Sequence, residues 1–210
     1  MTTVNQIRLI QEKLRYYNKP FIEYSLLEKI VKRFAPGYQI YNLSDRNIVS
    51  PIKSWKIYRN NLYTWHVSWY SILWKYMEGK TYMLGGMHIY NRYGYTTQLA
   101  DRITVYNTSI LWKKKIAWAK FIFRKVRKSF FWWKKRKQSQ DVYYYAMTPE
   151  RALIELLRET DGNPEFVDDI CYQIETGKVD IKKVKELCNK HCSKRLQHLI
   201  QNFLETCSKQ

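Results

Sequence analysis

Apolar positions in the first third of the chain recur at helical spacing. Val4, Ile7, Ile10 and Leu14 predict an amphipathic helix over residues 3–17, which Asn18-Lys19-Pro20 ends because proline cannot continue the ladder. Leu26, Leu27, Ile30, Val31 and Phe34 mark a second helix over 23–34, closed by Ala35-Pro36-Gly37. Ile40 and Leu43 anchor a short third helix through 37–46. Its other face would carry Tyr38, Gln39, Tyr41, Asn42 and Arg46, with the two tyrosines ranked lower because either suits a core. Ile48-Val49-Ser50-Pro51-Ile52, a break at Lys53-Ser54, and Trp55-Lys56-Ile57-Tyr58 predict a hairpin. Three short helices and a hairpin predict a winged helix-turn-helix over 1–63.

The pattern then changes. Trp65 to Tyr76 reads as helical in its second half, Tyr82-Met83-Leu84 as a short buried strand, and Gly85 to Tyr93 as a helix stopped by Gly94. Ile103–Tyr106, Lys120–Val126 and Val142–Ala146 are strand candidates. Four helices follow over 149–207, with starts at Thr148-Pro149, Asn163-Pro164-Glu165, Asp180 and Ser193. Residues 64–210 are therefore read as a mixed sheet with a helical tail, and the chain as α+β.

Charge sharpens this division. Lys+Arg total 37 against Asp+Glu 18, a net of +19. Residues 102–140 hold 13 basic side chains and no acid, whereas 141–210 hold 10 against 12. Such a block favours a polyanion partner. On the third helix and hairpin, Gln39, Asn42 and Arg46 suit base edges, and Lys53, Lys56 and Arg59 suit phosphates of duplex DNA. The block also offers Lys113, Lys114, Lys115, Arg124, Arg127, Trp132, Trp133, Lys134, Lys135 and Arg136 as a second basic and aromatic patch. It reads three ways: a groove for single strands or RNA, a membrane-surface helix, or a half-buried hairpin with a cationic outer face. Alternation at Phe121 and Phe123 favours the hairpin for its aromatics.

Enzyme signatures are missing from the sequence. Gly79-Lys80-Thr81 lacks the upstream glycine of a phosphate loop, there is no His-Glu-x-x-His, and Glu78 and Asp101 are the acids of residues 61–140. Asp168-Asp169 point to different faces of a helix. Cys188, His191 and Cys192 are the one metal-like cluster, and Cys188 and Cys192 at i, i+4 fit buried small hydrophobes better than zinc. The expectation is a non-enzyme with no cofactor, no membrane span and no signal peptide. It is placed in the cytoplasm, with Cys171, Cys188, Cys192 and Cys207 reduced.

The order of parts carries a family resemblance. Behind the wing come Tyr82-Met83-Leu84-Gly85-Gly86-Met87-His88-Ile89-Tyr90-Asn91-Arg92-Tyr93-Gly94, the strands Ile103–Tyr106 and Phe121–Val126, and Met147-Thr148-Pro149-Glu150-Arg151-Ala152-Leu153. This resembles the AbiEi-type antitoxins and related transcriptional regulators of type IV toxin–antitoxin systems, in which a short strand and a helix ending near glycine follow the wing and a Pro-Glu-x-Ala-Leu helix opens the tail. The resemblance implies an N-terminal domain that binds promoter DNA and represses its own operon. It implies a C-terminal domain that counters a nucleotidyltransferase-like toxin, not necessarily by direct contact. The DNA contacts would fall on Gln39, Asn42, Arg46, Lys53 and Lys56, and paired wings would make a dimer natural. Two departures stand out: the wing at Lys53-Ser54-Trp55-Lys56 has no glycine, and Leu111 to Lys137 is unusually rich in Trp and Lys, which would suit a different partner.

Overall fold

The computed structural model describes residues 3–53, 56–139 and 142–208. The chain forms two compact units, Met1–Glu78 with Lys115–Ala119, and Gly79–Lys114 with Lys120–Gln210. Both mix helices with a sheet, so the chain is α+β.

The first unit runs α1 (Thr3–Tyr17), β1 (Phe21–Glu23), α2 (Tyr24–Phe34), α3 (Ile40–Asp45), β2 (Val49–Lys53), β3 (Ile57–Asn60) and α4 (Trp69–Tyr76). The helices begin and end close to where their apolar stripes place them. Ile7, Ile10 and Leu14 of α1 pack with Leu27, Ile30 and Val31 of α2 and with Ile40 and Leu43 of α3. Val4, counted in the stripe, is 75% exposed. The third helix is shorter than its predicted span: Gln39 is its N-cap and Arg46 its C-cap.

Strand β1 has no counterpart in the sequence reading, because three residues are too few to show alternation. It pairs antiparallel with β3, Ile22 opposite Tyr58, and β3 pairs antiparallel with β2, giving the order β1-β3-β2. Pro51, which has no N–H to give, sits on the edge strand β2, where none is needed. Asn60 ties these parts together. Its side chain, 1% exposed, donates to Leu14 O (3.1 Å) and Lys19 O (3.2 Å) and accepts from Leu62 N–H (3.2 Å). It thereby satisfies a carbonyl at the end of α1, which has no partner within the helix.

From Gly79 on the chain runs β4 (Tyr82–Gly85), α5 (Met87–Arg92), β5 (Ile103–Asn107), β6 (Trp112–Ile116), β7 (Ala119–Lys125), a 3-10 turn (Lys128–Phe131), β8 (Lys134–Ser139), β9 (Val142–Met147), α6 (Pro149–Glu159), α7 (Val167–Glu175), α8 (Ile181–His191) and α9 (Lys194–Cys207), all in the second unit save Lys115–Ala119 at the β6–β7 turn. The sheet order is β6-β7-β5-β4-β9-β8, with β4 parallel to β9 and β5 parallel to β7, while β4–β5 and β8–β9 are antiparallel. Leu84, Val105, Phe121, Phe123 and Tyr144 bury its centre. Strands β6 and β8 are not among the strand candidates named from the sequence, where the block reads at most as one hairpin: as edge strands built of Trp-Lys-Lys-Lys-Ile and Lys-Lys-Arg-Lys-Gln-Ser they show no apolar alternation.

Gly86, with φ +68°, turns the chain from β4 into α5, and a Cβ there would stand 2.8 Å from Thr104 Oγ1. Asn107, fully buried, closes the end of β5: its Oδ1 accepts from Ser109 N–H (2.9 Å) and Ile110 N–H (2.5 Å), and its Nδ2 donates to Ile110 O (3.0 Å). In the tail, Thr148, Asp180 and Ser193 cap α6, α8 and α9 through the N–H groups of Arg151, Lys183 and Leu196. The second helix departs from expectation. It starts at Val167 rather than at Asn163-Pro164-Glu165, and its N-cap Phe166 makes no side-chain cap.

The cysteines also correct the sequence reading. Cys171 of α7 and Cys207 at the end of α9 are joined in a disulfide, their Cα atoms 5.1 Å apart and 36 positions apart in sequence. That approach is within disulfide reach, and the linear spacing gives no hint of it. Cys188 is buried and Cys192 half-buried, both as free thiols.

Candidate nucleic-acid interface

In α3, Ile40 and Leu43 are buried and root the helix in the core. That fixes what the remaining positions face. Gln39 and Arg46 are exposed and Asn42 is half-buried. Gln39 caps the helix without a side-chain bond, so its amide is not spent on the backbone. Of the two tyrosines, Tyr38 packs against the core cluster and Tyr41 stands 64% exposed beside Asn42. The short helix therefore presents amides, a phenol and a guanidinium, groups that can read base edges.

The β2–β3 hairpin carries the next cations. Lys56 is exposed and Lys53 half-buried; Lys56 N–H donates to Lys53 O (3.0 Å), closing the turn. The turn residues Ser54 and Trp55, part of the glycine-free wing, lie outside the described residues. The carbonyl of Lys56 accepts from Tyr24 N–H (2.8 Å), which fastens the hairpin base to the start of α2. Among the described residues Arg46, Lys53 and Lys56 form no ion pair, so their charge is available to a polyanion. Arg59 is different. It lies on the central strand β3, half-buried between Phe21 and Ser50 in register, and burial pushes its guanidinium below the usual arginine value. It stands apart from the hairpin tip that holds Lys53 and Lys56.

The second patch is not one surface. Lys113, Lys114 and Lys115 lie on β6 and Lys134, Lys135 and Arg136 on β8, the two opposite edges of the six-stranded sheet. Five inter-strand steps separate them by about 24 Å. Arg124 at the end of β7 is spoken for by Glu159 (2.7 Å) and by the Tyr106 hydroxyl (3.4 Å). Arg136 lies over the Tyr143 ring at 3.8 Å. Trp133 is 37% exposed and holds a left-handed φ of +52°. Trp132 is half-buried and engaged on both sides: the Arg151 guanidinium carbon is 3.4 Å from its ring centre and the His191 imidazole stacks on it at 4.3 Å. Two groups that close cannot share one face, so the indole lies between them. Phe121 and Phe123 are buried on β7, as the hairpin reading expects.

Helix α6 is buried nearly all round, and sequence reasoning missed its charged members. Arg151 and Glu155 are 0% and 3% exposed. Their i, i+4 spacing on a helix otherwise apolar at Ala152, Leu153, Leu156 and Leu157 was the available signal. The free thiols of Cys188 and Cys192 are hydrogen-bonded to each other, which pushes the Cys192 thiol below the usual value. Among the described residues no three His, Cys, Asp or Glu side chains gather as a metal site would require. Nor, among those residues, is any helix long and apolar enough to cross a membrane.

No protein-family model matches the chain, and no curated protein matches its sequence. Among solved structures the chain is similar to the Rv2827c protein from Mycobacterium tuberculosis, with a TM-score of 0.64 over 96% of this chain and 77% of that one. That likeness is one of fold. At 10% identity the side chains differ almost everywhere, and a shared backbone does not transfer a site.

Proposed function

We propose that the protein is a DNA-binding transcriptional regulator whose first unit is a winged helix-turn-helix, in the manner of the AbiEi-type antitoxins it resembles. The observation that carries this reading is α3: a six-residue helix rooted by Ile40 and Leu43, with Gln39, Asn42 and Arg46 turned away from the core. A short helix of this kind fits the major groove. The connectivity supports the reading as well. Helix, strand, two helices and a hairpin, with β1 added to the sheet beside β3, is the winged-helix order, and the hairpin then supplies Lys53 and Lys56 to flanking phosphates. The regulator would act on its own promoter, and its second unit would counter a nucleotidyltransferase-like toxin; both roles rest on the resemblance.

The test is retention of a duplex taken from upstream of the gene, against random duplex and single-stranded competitors at near-physiological salt. Selective retention that is lost in Arg46→Glu is the expected result. Equal retention of every competitor by the wild type would refute sequence-specific reading through α3. The alternative of a single nucleic-acid groove along residues 112–137 is disfavoured by the placement of its lysines on opposite sheet edges.

A further inference from the structure

A cavity of about 960 Å³ opens in the second unit, between the segment that links β7 to β8 and the helices α6 and α8. Six cations line it: Lys125, Arg127, Lys128, Arg151, Arg158 and Lys190. One carboxylate answers them. Glu155 accepts from Arg158 Nη1 through both oxygens (2.8 and 2.9 Å), and its Oε1 lies 2.5 Å from Arg151 Nη2. Among the described residues Lys125, Arg127, Lys128 and Lys190 have no acid partner. The cavity is therefore strongly positive.

Arg151 shows what kind of ligand this charge suits. It is completely buried, its Nη2 faces Glu155, and its Nε and Nη1 have no hydrogen-bond acceptor. Trp132 and Phe130 hold it by its flat face, at 3.4 and 4.5 Å. A guanidinium stacked by its face keeps its N–H groups along the edge, in the plane where acceptors bind. Buried donors without an acceptor are costly, so an acceptor brought to that edge recovers free energy that burial alone forgoes. The His191 ring stacks on Trp132 and braces the indole, and burial, with Lys190 and Arg151, pushes its pKa below the usual histidine value.

We propose that this cavity is a binding site for a ligand carrying adjacent phosphates. Carboxylate ligands are a poor match, since one or two negative charges would leave most of the lining uncompensated. A run of phosphates supplies several charges within a few ångströms and acceptors in many directions. The free source would be a nucleoside or inorganic triphosphate; the polymeric source would be a single nucleic-acid strand threading the open side.

The experiment is calorimetric titration of the full-length protein with inorganic triphosphate, repeated with Lys128→Glu and Lys190→Glu. Both side chains are exposed, so both variants should fold, and thermal melts check that they do. Saturable binding is expected, weakened about tenfold or more by either reversal, the cost of one charge-assisted contact. Arg151→Met should abolish it; should that variant not fold, the two rim variants decide alone. Adding an unphosphorylated-end single strand then assigns the source: displacement of triphosphate identifies a polynucleotide, and no displacement a free polyphosphate. Absence of saturation at millimolar triphosphate, or binding indifferent to both reversals, would overturn the site. Since neither probe nor variants involve α3 or the hairpin, such a failure leaves the duplex-binding reading standing.

Discussion

Replacing Asn60 with alanine should unfold the first unit well before the second. The side chain makes three hydrogen bonds from a site 1% exposed, two to the carbonyls of Leu14 and Lys19 and one from the Leu62 N–H. At about 1 kcal/mol each, and with partly buried partners left unsatisfied, the loss is about 3 kcal/mol. For a unit of this size that is a fall of about 12–24 °C in its melting temperature. Asn60→Asp is the sharper variant. It is nearly isosteric and keeps the acceptor for Leu62, yet it aims a carboxylate oxygen at two carbonyl oxygens and buries a charge. It should therefore destabilise at least as much as alanine. Urea and thermal unfolding of the full chain, followed by amide exchange so that the two units are read separately, gives the answer. A loss under about 1 kcal/mol for Asn60→Ala, or an aspartate variant as stable as wild type, would refute the assignment of Asn60 as the tie between α1 and β3.

Charge reversal at Lys53 or Lys56 should weaken duplex binding and flatten its salt dependence by about 0.9 in log–log slope for each phosphate the protein no longer neutralises, measured by anisotropy across salt concentrations. An unchanged slope for Lys56→Glu would remove it from the phosphate face. Reducing Cys171–Cys207 should lower the stability of the second unit by about 3–4 kcal/mol, from the loop that it closes; identical melts with and without reductant would refute this. Gly86→Ala should cost about 2 kcal/mol or more, because its φ is left-handed and Thr104 blocks the Cβ, and a melt within error of wild type would contradict the geometry. Burial, and then Arg92, push the His88 pKa below the usual histidine value, so folding favours its neutral form. That contribution is present above the usual value and is lost as pH falls through the depressed one. A stability–pH profile should fall on acidification and flatten in His88→Gln.

Much of the helical framework was legible because capping and apolar spacing are local. Thr148, Asp180 and Ser193 each announce a helix that the chain then builds. What stayed hidden is non-local or lacks a period. Strand β1 is too short to alternate, and it matters because it is the third strand of the sheet that holds the hairpin. Strands β6 and β8 lie in the block that the sequence leaves open between a groove, a surface helix and a half-buried hairpin, and one basic block in sequence became two sheet edges in space. The α3 candidates Gln39, Asn42 and Arg46 could be nominated because burial of Ile40 and Leu43 follows from their spacing. The buried Arg151 was not, since a lone arginine at the start of a helix gives no sign that tertiary packing will enclose it.

The lysines of β6 and β8 bear on how this protein behaves at high concentration. Each edge of a sheet offers a row of unpaired N–H and C=O groups to any strand that comes alongside. Here both such rows are carried by the most cationic strands of the chain, so a second copy arriving edge-on meets its own charge. Solubility is thus built into the two places where fibril growth would start. Acetylating these lysines, or screening them with high salt, would lift the barrier while leaving the fold unchanged, and the protein would then be expected to polymerise through its sheet edges.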